Sequence, residues 1–249
     1  MSRAVVIIAA HAFEARAAAS VGQGVSREPW GRWMLYRGEM WGAPFAVIRS
    51  GPGKVAAAAA TQAAIQYLDP VLLISFGTAG CADPKIKAGT LTVARSVVDV
   101  ALRELGELPV EIPHRFEPDV CLTERLLEVP GATMAELLCW EGHFASPAQP
   151  PPGEEIAEVP VVVDWESASV AQVAGMWSVP WAALKVVSDH GEAERLRLLA
   201  MIARRPLQWG AEAVRRATHR YLEWRLEMSN DESQSATKSG QGFEGEEES

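Results

Sequence analysis

"VVVDWESASVAQVAG", Val161 to Gly175, joins a run of valines to a run of small residues. The valine run reads as a buried strand and the small residues after it read as a helix. Between them stand Asp164, Trp165 and Glu166. A strand passing directly into a helix is the building unit of an α/β protein. Taken alone, the two acids need be no more than caps: Asp164 suits the helix's free N–H groups, and Glu166 suits the positive end of the helix dipole. Ligands of α/β proteins bind where strands end, so the same carboxylates are also candidates to face a substrate.

Comparable apolar runs recur at 5–9, 33–36, 45–48, 71–76, 91–97, 159–163 and 182–187. Several are continuously apolar rather than alternating, the pattern of strands covered on both faces. Helical stretches at 55–67, 164–177 and 207–226 lie between or after them, the last with Val214, Ala217, Tyr221 and Trp224 at core-facing spacing. The expectation is an α/β fold: a three-layer α/β/α single domain over residues 1–227 with a central mixed, largely parallel twisted sheet. Residues 145–160, "ASPAQPPPGEEIAEVP", read as an exposed loop. Residues 228–249 are polar and acidic and are expected to form a disordered acidic tail.

Charge narrows the function. Of the net −9 over 249 residues, −5 lies from Ser229 onward, which leaves the body at −4. With no basic stripe to neutralise phosphates, nucleic acid is not an expected partner. Cys81, Cys121 and Cys139 are odd in number and show no zinc or disulfide spacing, which fits a reducing, cytoplasmic setting. The opening "MSRAVVIIAAHAFEAR" imitates a signal peptide, but its apolar run is short and Glu14 and Arg16 follow at once, so it reads as a first strand. No apolar run is long enough to span a bilayer.

Four strand ends carry polar groups. "SGPGKVAAAAA", from Ser50, places Gly51 and Gly53 at a strand-to-helix turn, though not in Walker order. "SFGTAG", Ser75 to Gly80, reads as a strand followed by a loop bearing Thr78 and Gly80. "KVVSDHG" closes a strand with Ser188 and Asp189, and Glu14 follows the first strand. His190 is a lone loop histidine with no second histidine at ligand spacing. Singly, each group is explained by a turn or a cap. Jointly, Glu14, Thr78, Glu166 and Asp189 all follow apolar strands, and converging carboxylates are typical of acid–base chemistry.

The order and spacing of these motifs resemble the nucleoside phosphorylase/nucleosidase family, in particular the methylthioadenosine/S-adenosylhomocysteine nucleosidases. The resemblance runs from about Val5 to Glu223 through "VVIIAAHAFEA", "SGPGKVAAAAATQA", "LISFGTAGCADPKIKAGTLTV" and "VVVDWESASVAQVAGMWSVPWAALKVVSD". It implies hydrolysis of the N-glycosidic bond of a purine nucleoside to free purine and a ribose derivative. Asp189 would serve as acid toward the purine, Glu14 would activate water, and Glu166 would hold the ribose hydroxyls. Ser188, Thr78 and Gly80 would support base and sugar, Trp165 would lie against the sugar where the family carries methionine, and Phe144 would stack on the purine. No metal or organic cofactor is implied, and a homodimer is.

The chain departs from the family at Trp165, at "GHFAS" near the base pocket, and in the segment after Val97. It also lacks an arginine cluster of the phosphorylase type. Alternatives within the resemblance are a futalosine hydrolase, a hopanoid-associated adenosyl nucleosidase and a purine nucleoside phosphorylase. A non-catalytic nucleoside-binding protein is the alternative of another class.

Overall fold

The computed structural model describes residues 3–81, 83, 85–104, 113–141, 159–190 and 204–240, with side chains as far as Ser229. Phe144, nearly all of the loop at 145–160 and residues 241–249 lie outside the described residues.

The first strand shows why the sheet is central. In β1 (Ala4–Ala9) every residue is buried. Val5, Ile7 and Ala9 pack into one apolar core, while Val6 and Ile8 pack into a second. Successive side chains of a strand point to opposite faces, so a strand apolar at every position needs a cover on both. On one side the cover is α1 (Ala12–Ala19), α4 (Val120–Leu127) and α6 (Arg204–Gly240), which contribute Ala15, Leu122, Val214 and Tyr221. On the other it is α2 (Lys54–Leu68) and α5 (Ser167–Met176), which contribute Ala57, Ala60, Ala168 and Ala171. The three-layer α/β/α domain is therefore observed.

The remaining strands are β2 (Gln23–Trp30), β3 (Trp33–Met40), β4 (Ala43–Arg49), β5 (Pro70–Cys81), β6 (Leu91–Asp99), β7 (Arg115–Phe116), β8 (Ala132–Cys139), β9 (Val161–Asp164) and β10 (Trp181–Asp189), with a short α3 (Val100–Glu104) after β6. Their order is β10-β6-β8-β9-β5-β1-β4-β3-β2, and β7 flanks β6. An additional pairing of β10 with β5 closes β5, β10, β6, β8 and β9 into a ring. β5 to β1 and β1 to β4 are parallel, as are β10 to β5 and the pairs of β8 with β6 and β9. β9 runs antiparallel to β5 through Gly80↔Val163 and Cys81↔Val162. The sheet is thus mixed, with a closed half and an open half.

Three boundaries differ from the sequence expectation. β5 continues through "GTAG", so Thr78 and Gly80 lie in a strand and not in a loop. The small residues there let both β10 and β9 pair with the same strand end. Helix α5 opens at Ser167 and not at Asp164, because Asp164 still belongs to β9. Helix α6 continues to Gly240, past the boundary set at residue 227. No proline or glycine interrupts the sequence between Gly210 and that point.

Candidate active site

Glu14 occupies the first turn of α1 and is 2 % exposed. Its Oε2 accepts the His11 backbone N–H at 2.8 Å. Its Oε1 accepts both the N–H and the hydroxyl of Thr78, each at 2.8 Å. Gly77 makes this approach possible: a Cβ on that residue would stand 2.9 Å from Glu14 Oε1 and 3.0 Å from its Cδ. Glycine here serves closeness. Thr78 therefore fixes the carboxylate of Glu14, a contact not expected from the sequence.

Glu166 sits between β9 and α5. Its Oε1 accepts the Gly53 N–H at 2.8 Å from the start of α2, where Gly53 holds φ at 92°. The next N–H, of Lys54, goes to Glu141 Oε1 at 2.8 Å. The glycine turn thus does bind an anion, as a helix N-terminus favours, but the anions are the protein's own carboxylates. Lys54 Nζ turns away to Asp99 at 2.7 Å. Burial, followed by the charge of Asp164, pushes the Glu166 carboxyl up from 4.5 to about 7; Lys185 and the Gly53 N–H oppose the rise.

Beneath Glu166 lies a buried polar cluster. Asp164 and Lys185 are 4 % and 3 % exposed, and Lys185 Nζ lies 2.8 Å from Asp164 Oδ2. Asp164 also accepts the Ser167 N–H and, at 2.5 Å, the Ser167 hydroxyl. Ser75 Oγ is 2.9 Å from Ser167 Oγ and accepts a hydrogen bond from Lys185 Nζ at 3.1 Å. The expected capping role of Asp164 is present, and it comes with an ion pair that the sequence did not predict. Its one sequence signal is a lysine inside the apolar run "WAALKVV".

Ser188 and Asp189 end β10. The register with β5 shifts between Val187 and Asp189, so Ser188 is the extra residue of a bulge. Bulges re-aim side chains at sheet edges and next to sites. Ser188 Oγ lies 2.6 Å from Asp189 Oδ2 and 3.1 Å from the Ala79 carbonyl oxygen. Asp189 pairs across the ladder with Gly80, two residues beyond Thr78. His190 Nε2 lies 2.8 Å from the Ile86 carbonyl oxygen, where it anchors a neighbouring turn. Trp165 is half-buried beside Glu166.

Glu14, Thr78, Gly80, Glu166, Ser188 and Asp189 are therefore gathered around the end of β5. Glu14 after β1, Thr78 and Gly80 in β5, and Ser188 and Asp189 in β10 come from a row of parallel strands; Glu166 comes from outside that row. The antiparallel β9 brings Glu166 in from one side, and β10 brings Asp189 in from the other.

Comparison with known proteins gives the family. The family model of the phosphorylase superfamily matches residues 4–222. The chain belongs to that superfamily. It is 29 % identical over 179 residues to a 5′-methylthioadenosine/S-adenosylhomocysteine nucleosidase of Tolumonas auensis, an alignment covering 64 % of this chain and 74 % of the relative. A nucleosidase of the same name from Actinobacillus succinogenes is 29 % identical over 177 residues, covering 65 % and 74 %. Among solved structures, the Neisseria meningitidis 5′-methylthioadenosine/S-adenosylhomocysteine nucleosidase in complex with methylthio-immucillin-A superposes with a TM-score of 0.70 at 23 % identity, over 87 % of this chain and 96 % of that one. The futalosine hydrolase of Helicobacter pylori superposes at 0.76 and 21 %, over 88 % and 99 %. These two structures share the fold. Among the described residues no helix is long and apolar enough to cross a membrane.

Proposed function

We propose that this member of the superfamily is a nucleosidase, hydrolysing the N-glycosidic bond of a purine nucleoside of the methylthioadenosine/S-adenosylhomocysteine type. The observation that carries the reading is Glu14, a buried carboxylate held by three protein donors in the same site as Glu166 and Asp189. Cleavage moves the electron pair of the C1′–N9 bond onto the purine and leaves an oxocarbenium-like ribosyl cation. Asp189, oriented by Ser188, delivers a proton to the purine N7, so that the base departs neutral; such assistance contributes about 10²- to 10⁴-fold. Glu166, as carboxylate, binds the ribose hydroxyls and stabilises the cation. Glu14 takes a proton from the water that attacks C1′. Trp165, Thr78 and Gly80 line the sugar side of the site, and Phe144 is the proposed stack for the base.

Hydrolysis is preferred over phosphorolysis because Glu166 and Glu141 already occupy the N–H groups of Gly53 and Lys54. An incoming phosphate would meet those carboxylates. We also read the chain as a cytoplasmic homodimer. Val55, Tyr67, Met176 and Trp177 are exposed apolar residues on α2 and at the end of α5, two helices that pack together. Glutamates at Tyr67 and Trp177 together should convert a dimer to a monomer in sedimentation equilibrium.

The deciding experiment is adenine release from methylthioadenosine with and without phosphate, with futalosine and inosine run alongside. Equal release in both buffers supports the reading. Release that requires phosphate refutes hydrolysis. Turnover of futalosine alone would keep the chemistry and change the 5′ substituent.

A further inference from the structure

We infer that Lys185 is a positioning residue that sets the charge of Glu166, by cancelling the charge of an aspartate the site needs for its shape. The inference rests on the acid–base reading of the site given above.

Asp164 has a structural task. It accepts the N–H and hydroxyl of Ser167, the first residue of α5, and so fixes the turn that carries Glu166. Two residues before Glu166 in the chain, it is also an anion that raises the proton affinity of that carboxyl. The groups that act on Glu166 are Glu14 from α1, the Gly53 N–H at the start of α2, Asp164 from β9 and Lys185 from β10. Asp99 from β6 is taken by Lys54, and Glu141, after β8, is held by the Lys54 N–H. Asp164 and Glu14 raise the proton affinity of Glu166, whereas Lys185 and Gly53 lower it. Lys185 is the cation set deepest beneath these acids, with its Nζ on Asp164 and Ser75.

A buried ion pair generally adds no stability over apolar residues of similar volume. The pair is therefore accounted for by what it does to the group above it. Its members act on Glu166 with opposite sign, so neutralising each in turn should move that group in opposite directions.

The test is the titration of the Glu166 carboxyl in the whole protein without substrate. It is followed by carbon-13 NMR on glutamate-labelled samples, with the resonance assigned by its loss in Glu166→Gln. Lys185→Met should move the midpoint up by about one pH unit or more, the size expected for losing an opposite charge at short range. Asp164→Asn keeps an acceptor for Ser167 and should move it down by a similar amount. Lys185→Arg should restore the wild-type midpoint to within about half a unit. The acidic limb of kcat/KM should follow the same three directions.

Midpoints moving in one direction for both neutral variants, or staying fixed in folded protein, would overturn the inference. If Lys185→Met does not fold, Asp164→Asn decides: a midpoint at or above wild type overturns it. If no nucleoside is cleaved but the midpoints separate as stated, the functional reading fails and the role of Lys185 stands. Cleavage without separation keeps the functional reading and overturns the role of Lys185.

Discussion

Glu166→Gln should make the protein inactive and, at neutral pH, more stable. The glutamate carboxyl titrates near 7 in the folded chain against 4.5 for an unperturbed group. Between those values the folded state binds the proton more tightly than the unfolded state does. Stability therefore falls as pH rises through this window, and the penalty is complete above the folded value and absent below the unfolded one. At 1.36 kcal/mol per pH unit the gap corresponds to about 3 kcal/mol at its limit. Glutamine has the same shape, still accepts the Gly53 N–H and cannot ionise. For a domain of this size 1 kcal/mol shifts Tm by roughly 2–4 °C, so the variant should melt several degrees above wild type at pH 8. The advantage should shrink steadily toward pH 4.5. Thermal unfolding of both proteins at five or six pH values, without ligand, measures it. An advantage independent of pH, or one that grows toward acid, would refute the argument that Glu166 is held in the folded state against its own desolvation.

Three further outcomes follow from the geometry. Gly77→Ala places a Cβ 2.9 Å from Glu14 Oε1; turnover should fall more than tenfold, with a stability loss of about 1–3 kcal/mol visible in the urea midpoint. Asp189→Asn should lower kcat by about 10²- to 10⁴-fold while calorimetric affinity for the nucleoside stays within several-fold, since proton delivery matters chiefly in the transition state. In the proposed mechanism Glu166 acts as a carboxylate, so kcat/KM should decline below about pH 7 and level off above it; a profile flat from pH 5 to 8 contradicts that assignment.

The layered fold was legible because its cause is local. A strand such as "AVVIIA" is apolar at every position only when both faces are covered, and alanine-rich helices such as α2 can lie close against a sheet. The ring was not legible. It depends on β10 pairing with both β5 and β6, and nothing in "WAALKVVSD" states two partners. The same non-local pairing turned "GTAG" from an expected loop into strand. β2 and β8 were missed for a different reason: "QGVSREPW" is largely exposed, and "ATMAELLC" mixes alanine, methionine, glutamate and leucine, which favour helix in isolation. The site carboxylates Glu14, Glu166 and Asp189 stood out because acids at the ends of apolar strands conflict with burial. Their supports, Ser75, Ser167 and the bond from Thr78 to Glu14, gave no such conflict, since small hydroxyl residues fit a core and a surface equally well.

Lys185 shows where sequence reasoning had the signal and lacked the partner. A lysine between Leu184 and Val186 in a strand buried at seven successive positions needs a counter-charge. The sequence offers many acids, and only the fold selects Asp164. That selection changes the meaning of the opening segment. Asp164 and Glu166 are two residues apart and both are acids, yet one is neutralised to hold a turn while the other is left costly to ionise. Were both paired, Glu166 would be a stable carboxylate with little to gain from a developing cation. Were neither paired, it would stay protonated at neutral pH. A positive charge forming on the sugar beside a carboxyl raised to about 7 favours its ionised form and offsets part of the cost of its burial.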